Sequence, residues 1–322
     1  MINSVRNTVL SILNKNNYGY LSPQDFNLFA KQAQLDIFED YFYQYNYQIN
    51  KENARQSGTG LADIKKGYEE AINVFSRNDF LSKTLVTDYS MANNFYAPSI
   101  STTGFDYYLL NTIYCYTETI TSAVCTGVSA YELIDATGDF LNYGVKIGDI
   151  VVNDFTKEAA EVTATPTTST TLSLSADIFD NLGEEYIIYN GTANVNVAEK
   201  VSNSKINMLN SSLLTSPSEM FPGYVENGNI LTVYPSNLNG FGQVRCQYIR
   251  YPKDPKWTYV SLSGGEPSFD QSQPDFQDFE LPLDDEPSLV MKILQFAGMS
   301  IREVQAVQFG QAQEQQDAQT ER

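Results

Sequence analysis

The chain has 322 residues, of which 42% are hydrophobic and 18% charged, a composition that supports two or three folded domains and excludes wholesale disorder. Its 20 basic and 39 acidic residues give a net charge of −19. This balance excludes nucleic-acid binding through phosphate contacts, which need lysine and arginine. No apolar run is long enough to span a membrane.

Residues 1–80 are predicted to form the N-terminal helical part of a bundle. Residues 1–14 read as a short amphipathic helix and lack the apolar core of a signal peptide. A long helix is predicted for residues 22–47, because it starts with a serine N-cap and a proline and then repeats apolar residues at spacings of three and four. A third helix is predicted for about 61–75.

The apolar face of the long helix is wider than one small core needs. Such a face is more often core than binding surface, so its first half is assigned to the bundle core. Its second half is assigned to contacts between subunits, because tyrosine suits a hydrated interface. The predicted core residues are Phe26, Phe29, Ala33 and Ile37. The predicted interface residues are Tyr41, Tyr43, Tyr45 and Tyr47.

The middle of the chain is dominated by β-branched and aromatic residues between turn signals. Residues 81–195 are predicted to be a β-rich domain that includes a small barrel or sandwich module at 125–190. Residues 196–283 are predicted to be a mixed β region with an extended loop at 252–278. Within it, residues 196–216 fit a helix or a loop, and a short helix around 199–214 is the favoured interpretation.

The last predicted element is a helix within residues 284–322, which is expected to pack on the N-terminal bundle and to be followed by a glutamine-rich tail. Its acidic start with Pro287 in the first turn is typical of a helix N-terminus. Its predicted core residues are Ile293, Leu294, Ala297 and Ile301. The fold class predicted from these elements is α+β: a helical bundle built from the N-terminal and C-terminal helices, with antiparallel β-domains inserted between them.

The sequence offers little for catalysis. The absence of histidine removes Ser-His-Asp and Cys-His mechanisms and most catalytic zinc sites. No nucleotide-binding glycine motif occurs. The three cysteines form no C-x-x-C pair and are expected to be buried thiols. We therefore predict a protein that is not an enzyme and has no catalytic residue, metal or cofactor.

One enzymatic alternative rests on four carboxylates, Asp149, Asp154, Glu158 and Glu161. Two-carboxylate chemistry needs no histidine, so a glycosidase or depolymerase pair, or a calcium site, stays open here. Acidic residues at turns are more often solvated caps, which is the favoured interpretation.

Arg245, Arg250 and Trp257 belong to a stretch in which basic and aromatic residues alternate. Such a patch can bind nucleic acid or form an interface hot spot. Because the chain is acidic overall, we predict subunit contacts for these three residues, with salt bridges to acidic neighbours. A solvated strand face is the equally weighted alternative.

Two terminal stretches carry a family resemblance: NTVLSILNKNNYGYLSPQDFNLFAKQAQLDIFEDYF and FELPLDDEPSLVMKILQFAGMSIREVQAVQF. Together they resemble virion structural proteins of short-tailed double-stranded DNA phages, especially the crAss-like phages of gut Bacteroidales. The middle run GDFLNYGVKIGDIVVNDFTKEAAEV is similar to a β-module that recurs in phage head–tail proteins.

The resemblance implies a structural ring or adaptor subunit of the head–tail connector, a channel through which genomic DNA passes. It implies a homo-oligomeric ring of twelve copies that contacts the portal protein and other ring or tail proteins. The expected location is the portal–tail junction of the virion, after synthesis in the host cytoplasm, with no specific nucleic-acid binding and no membrane. The alternative is a fibre-attachment or glycan-binding virion protein that acts through the β-module at 125–190.

Overall fold

The computed structural model describes residues 1–13, 21–53, 62–84, 93–193, 195–261, 264 and 266–301. The glutamine-rich tail predicted at the C-terminus lies outside these residues. The chain divides into two compact units, which are described separately: residues 1–75 with 252–322, and residues 76–251.

The described residues contain six helices. They are α1 (Ile2–Leu13), α2 (Pro23–Asn53), α3 (Ala62–Asn73), α4 (Phe140–Tyr143), α5 (Asn203–Asn210) and α6 (Glu286–Ile301). The start of α2 is fixed by Ser22, whose hydroxyl oxygen accepts the Asp25 N–H at 3.1 Å and donates to the Asp25 carboxylate at 2.6 Å. This pairing satisfies a backbone donor that the helix leaves open. None of these helices combines the length and the apolar character that a membrane crossing requires.

The first unit is built from four of these helices. α2 contacts α3 and α6, and α6 also contacts α1. The segment after residue 251 crosses this unit as a loop with one small hairpin and is fixed by Trp257. The backbone of Trp257 exchanges two hydrogen bonds with Asn27, at 2.8 and 3.2 Å, and its indole N–H donates to Asn3 at 3.1 Å.

The described residues also contain sixteen short strands. They are β1 (Ser76–Phe80), β2 (Asn94–Tyr96), β3 (Tyr107–Tyr116), β4 (Thr119–Val124), β5 (Gly127–Ser129), β6 (Glu132–Ile134), β7 (Ile150–Asn153), β8 (Glu158–Glu161), β9 (Thr171–Ser173), β10 (Glu185–Tyr189), β11 (Val195–Lys200), β12 (Gly223–Asn227), β13 (Ile230–Tyr234), β14 (Val244–Arg250), β15 (Tyr259–Ser261) and β16 (Pro267–Phe269).

A seven-stranded sheet organises the second unit. Its strand order is β1-β14-β3-β11-β12-β13-β2, and every neighbouring pair is antiparallel except β11 and β12, which are parallel. Alternate residues of its strands point into one buried cluster, as the two-residue period of a strand requires. This cluster includes Leu81, Phe95, Ile113, Cys115, Leu231, Val233, Val244, Cys246 and Tyr248.

A β-module is inserted at the end of one hairpin of this sheet. β3 and β11 pair antiparallel with Tyr116 opposite Val195, and residues 117–194 lie between them. They form a four-stranded sheet, β4-β10-β7-β8, and a three-stranded sheet, β5-β6-β9. The two sheets share a buried core that includes Leu133, Phe140, Val151, Ala160, Leu172, Phe179, Tyr186 and Ile188.

The predicted fold class is wrong. The chain is β-rich, with a seven-stranded sheet and three smaller sheets, and it is not a helical bundle with β-insertions. The physical reason is that helices repeat a strong local pattern, whereas this sheet joins short strands from distant segments. The polar strand β1, SRNDF, pairs with β14 far along the chain and has no apolar alternation of its own.

The predicted helix around 199–214 also differs from the structure. Residues up to Lys200 belong to strand β11, and the helix α5 spans only Asn203–Asn210. The helix begins where it does because the Ser202 hydroxyl oxygen caps it by accepting the Lys205 N–H.

Candidate functional site

The most unusual surface of the second unit is an apolar loop, defined here as residues 206–221. It contains the second part of α5, from Ile206 to Asn210, and most of the connection to β12. Leu213 and Leu214 are 102% and 96% exposed, and three further apolar side chains of the loop are also exposed. These three are Met208, Met220 and Phe221. Large patches of exposed apolar side chains are rare in soluble monomers and mark interaction surfaces.

The apolar loop is anchored at its start by α5. Ile206 is buried against Val201 and Val225, and Leu209 packs on the same cluster. One face of the helix therefore packs against β12, and Met208 on the opposite side stays exposed.

Hydrogen bonds hold the rest of the loop in shape. The Thr215 hydroxyl donates to the Leu209 carbonyl at 3.1 Å, and the Ser216 N–H donates to the Ser212 carbonyl at 2.9 Å. Asn196 on β11 donates to the Glu219 carbonyl at 2.8 Å. A loop with this many internal bonds presents its exposed leucines with little ordering left to do on binding.

The apolar loop also carries no charge over residues 206–218, although the chain as a whole has a net charge of −19. Glu219, directly before Met220, is the one acidic residue of the loop. Sequence reasoning does not identify this site, because the favoured prediction for most of the segment is a helix. The signal that indicates it is a long uncharged stretch with adjacent leucines in an acidic chain.

The four tyrosines predicted for a subunit interface lie in different environments. Tyr41 is buried, and its hydroxyl donates to the Asp285 carboxylate. Tyr43 is 65% exposed, while Tyr45 and Tyr47 are half-buried. The structure thus presents one of the four fully to solvent and uses Tyr41 inside the chain.

The two arginines predicted for an interface make contacts within the second unit. Arg245 bonds to the Glu161 carboxylate and lies over the Phe80 ring, with the guanidinium carbon 5.3 Å from the ring centroid. Arg250 is buried and donates to the Tyr251 carbonyl at 3.0 Å. The salt bridge of Arg245 is internal and joins β14 to β8 of the inserted module.

Trp257, the third predicted interface residue of this group, lies in an aromatic stack inside the first unit. It is 2% exposed, and its ring stacks with those of Tyr259 and Phe269 at centroid distances of 5.6 and 5.9 Å. The Arg6 guanidinium covers the ring at 3.7 Å, a cation–π contact. Its surface is already covered by its own chain.

The predicted core residues of the helices lie mainly inside the first unit. The buried ones are Phe26, Ala33, Ile37, Ile293, Leu294 and Ala297. Phe29 is half-buried, and the side chain of Ile301 lies outside the described part of the chain.

The four carboxylates of the enzymatic alternative serve separate local roles. Asp149 is buried and accepts backbone N–H groups of Lys146 at 2.7 Å and Gly191 at 3.0 Å, which fixes two turns. Asp154 pairs with Lys157 at 2.5 Å. Glu161 bonds to Arg245 as described above, and Glu158 is exposed. Within the described ranges, no three potential metal ligands of the His, Cys, Asp and Glu types come together.

The three cysteines are all buried and free. Burial raises the pKa of the Cys115 thiol to about 12, and burial together with nearby carboxylates raises that of Cys246 to about 12. Both therefore stay as neutral thiols at physiological pH, which makes them poor nucleophiles.

The β-module of the glycan-binding alternative presents several exposed aromatic side chains. These are Tyr131, Tyr143 and Phe155.

No model of a known protein family matches the chain, and no curated protein matches it.

Proposed function

We propose that this protein is a structural ring or adaptor subunit of the head–tail connector of a short-tailed double-stranded DNA phage. In this role it is not an enzyme; twelve copies form a ring at the portal–tail junction, joined to the portal protein and other tail proteins. The proposal starts from the sequence resemblance. The structural observation that supports an assembly role is the apolar loop, where five large apolar side chains lie exposed within residues 208–221.

The energetic argument concerns Leu213 and Leu214. Burying one leucine side chain contributes about 1.5–3 kcal/mol, so the pair contributes about 3–6 kcal/mol per contact. Association costs roughly 4–15 kcal/mol in lost freedom of motion, so the two leucines alone are marginal. The neighbouring exposed Met208 and Phe221 add to the gain, and in a closed ring each copy makes two such contacts.

The charge of the chain supports a channel role. A net charge of −19 gives a surface that repels DNA phosphates instead of binding them. In a channel this repulsion would let genomic DNA slide through without sticking during packaging and ejection.

The proposal is tested by placing a charge in the apolar loop. We expect the wild-type chain to form rings alone or on portal and tail rings, and Leu214→Asp to abolish assembly while its thermal unfolding stays unchanged. Leu141→Asp, the same change at an exposed leucine of the β-module, should assemble normally. Light scattering after size-exclusion chromatography and negative-stain electron microscopy measure the outcome.

Two results would contradict the proposal. A wild-type chain that stays monomeric and also fails to join portal or tail rings rules out the connector role. Normal assembly of Leu214→Asp shows that the apolar loop is not an assembly surface.

A further inference from the structure

The dipeptide Asn-Gly occurs three times in the chain, at Asn190, Asn227 and Asn239. Asparagine is among the thermally labile residues of proteins. The carbon of its side-chain amide can be attacked by the backbone nitrogen of the next residue, and a following glycine has no Cβ to hinder that approach. The three sites share this local chemistry, so the structure around each site decides which of them reacts.

We propose that Asn227 is a site of spontaneous deamidation in the folded protein, whereas Asn190 and Asn239 are protected. The deprotonated Gly228 nitrogen forms a bond to Cγ of Asn227, and the bond from Cγ to Nδ2 breaks. The proton lost from Gly228 returns through solvent to the departing NH₂ group, which leaves as ammonia. Water then opens the cyclic succinimide at either of its carbonyl groups, which gives aspartate or isoaspartate. Water is the only co-reactant, and the inference does not depend on the proposed function.

Asn227 and Gly228 lie at the tip of the β12–β13 hairpin, and both are exposed. Gly228 is the first residue of the turn between Asn227 and its ladder partner Ile230. Within the residues that the structure describes, no hydrogen bond uses the Gly228 N–H, and a Cβ added to Gly228 would have nothing within 4 Å. The attacking nitrogen therefore faces water, which can remove its proton, and the succinimide ring has room to form.

The side chain and the backbone of Asn227 offer little resistance to this attack. Its Oδ1 accepts a hydrogen bond from Asn203 Nδ2 at 2.5 Å, which stabilises the negative charge that develops on this oxygen. Asn227 is also the last residue of β12. The backbone rotation that brings the Gly228 nitrogen to Cγ therefore breaks only the terminal pair of the ladder, Asn227 with Ile230.

The Asn190–Gly191 site is protected by its hydrogen bonds and its packing. The Gly191 N–H donates to the Asp149 carboxylate at 3.0 Å, and this negative charge disfavours loss of the Gly191 proton. The Asn190 side chain is fixed as well, because its Oδ1 accepts the Ala193 N–H at 2.8 Å. The Gly191 backbone has little room to turn, since an added Cβ would lie 1.9 Å from the Gly148 carbonyl oxygen.

The Asn239–Gly240 site is protected in a similar way. Both residues are half-buried, and the Gly240 N–H donates to Gln243 Oε1 at 2.6 Å. A Cβ added to Gly240 would lie 2.7 Å from the Tyr189 hydroxyl oxygen, so the backbone is crowded here too. Attack at this site requires a local opening that the hairpin tip at Asn227 does not need.

The reaction changes the charge and the backbone of the hairpin tip. Either product adds a carboxylate beside Glu226, which already binds Lys200 through an ion pair. Isoaspartate also adds a carbon to the backbone, which disturbs the pairing of residue 227 with Ile230.

Incubation of the full-length folded protein tests the proposal. We expect Asn227 to deamidate at least about tenfold faster than Asn190 or Asn239, because reaction at those two sites must wait for local opening. Digestion and tandem mass spectrometry measure each site from the mass gain when the amide becomes an acid, and ion-exchange chromatography follows the added charge. The rate at Asn227 should rise with pH, because the deprotonated nitrogen is the nucleophile.

The urea-unfolded chain is the matched control. All three sites should react there at similar rates, because each dipeptide is then free of its folded surroundings. Equal rates at the three sites in the folded protein overturn the proposal, and so does a faster reaction at Asn190 or Asn239 than at Asn227. An Asn227 that reacts when unfolded and stays unchanged when folded likewise overturns it.

The variant Q243A tests the reason for the protection. It removes the acceptor of the Gly240 N–H, so deamidation at Asn239 should become several-fold faster while the rate at Asn227 stays the same. An unchanged rate at Asn239 would show that the engaged N–H is not what protects a site, and the argument that selects Asn227 would then fail.

Discussion

Buried Tyr41 and half-buried Asp285 form a polar pair between α2 and the turn that precedes α6. The Tyr41 hydroxyl donates to the Asp285 carboxylate. Burial raises the pKa of Tyr41 well above its usual range, and the hydrogen bond and charge of Asp285 raise it further. Burial also raises the pKa of Asp285 above its ordinary value, although the bond from Tyr41 acts in the opposite direction. The pair therefore favours the protonated form of both groups.

We expect the Asp285 carboxyl to make stability depend on pH. Because its pKa is higher in the folded chain, the unfolded chain loses this proton first as pH rises. Its contribution to the free energy of unfolding is complete below the unfolded pKa and is lost as pH rises through the raised folded pKa. D285N should remove this decrease in the free energy of unfolding with rising pH. Urea unfolding of the wild type and the variant at a series of pH values measures the difference.

D284N is the control for this pH dependence. Asp284 lies next to Asp285, is exposed and raises the Asp285 pKa less than burial does. The D284N variant should therefore keep most of the fall. If D285N keeps it as well, Asp285 is not the group that titrates in this range.

The environment of these tyrosines shows what sequence can predict at the residue scale. The helical period places Tyr41 on the same side of α2 as Ile37, and both are buried, whereas the sequence predicts Tyr41 for a subunit interface. The helical period cannot predict which residues of other elements pack against Tyr41. Tyr41 is covered because Asp285 and Tyr68 lie against it, whereas Tyr43 points away and stays exposed.

At the scale of elements, the turns of the inserted module approach each other very closely. A Cβ atom added to Gly191 would lie 1.9 Å from the Gly148 carbonyl oxygen and 3.0 Å from the Asp149 Cα. Both contacts are with backbone, which cannot move aside as a flexible side chain can. Gly191 is therefore required by the packing of two turns that Asp149 also joins through its hydrogen bonds.

We expect Gly191→Ala to destabilise the protein by about 3 kcal/mol or more, because overpacking here forces the backbone to shift. Gly228 offers a comparison, since it lies in the β12–β13 turn at φ +61° with nothing within 4 Å of an added Cβ. Gly228→Ala should cost only about 1–2 kcal/mol of left-handed strain. Urea unfolding of both variants measures the difference, and equal losses would contradict the close approach.

The elements themselves differ in how well the sequence predicts them. α2 and α6 have capping signals and repeated apolar faces, so their starts could be predicted closely. The order of the seven-stranded sheet could not, because β3 receives β14 on one side and β11 on the other from distant parts of the chain. The parallel pairing of β11 with β12 depends on α5 and the apolar loop between them, which the predicted longer helix obscured.

At the scale of the whole molecule, net charge opposes the proposed assembly, and the apolar loop is the surface proposed to favour it. Copies that each carry a charge of −19 repel one another. Salt screens this repulsion over a Debye length of about 10 Å at 0.1 M, whereas the burial of leucine side chains is not weakened by salt.

We therefore expect added sodium chloride to increase the fraction of chains in oligomers, measured by sedimentation equilibrium over a salt series. The L141D variant, which keeps the apolar loop, should show the same rise as the wild type. Dissociation on adding salt would mean that ion pairs, and not the apolar loop, hold the copies together.

The place where the β-module joins the sheet has a consequence for how this chain can vary. Residues 117–194 leave β3 and return to β11 at two positions, Tyr116 and Val195, that face each other across a ladder. A sequence of almost any length can occupy the end of a hairpin without changing the order of the strands behind it. Related chains can therefore differ greatly in length and surface here while the seven-stranded sheet keeps its pairing. For the same reason, comparisons that align the strands on either side of the module carry more weight than comparisons of total length.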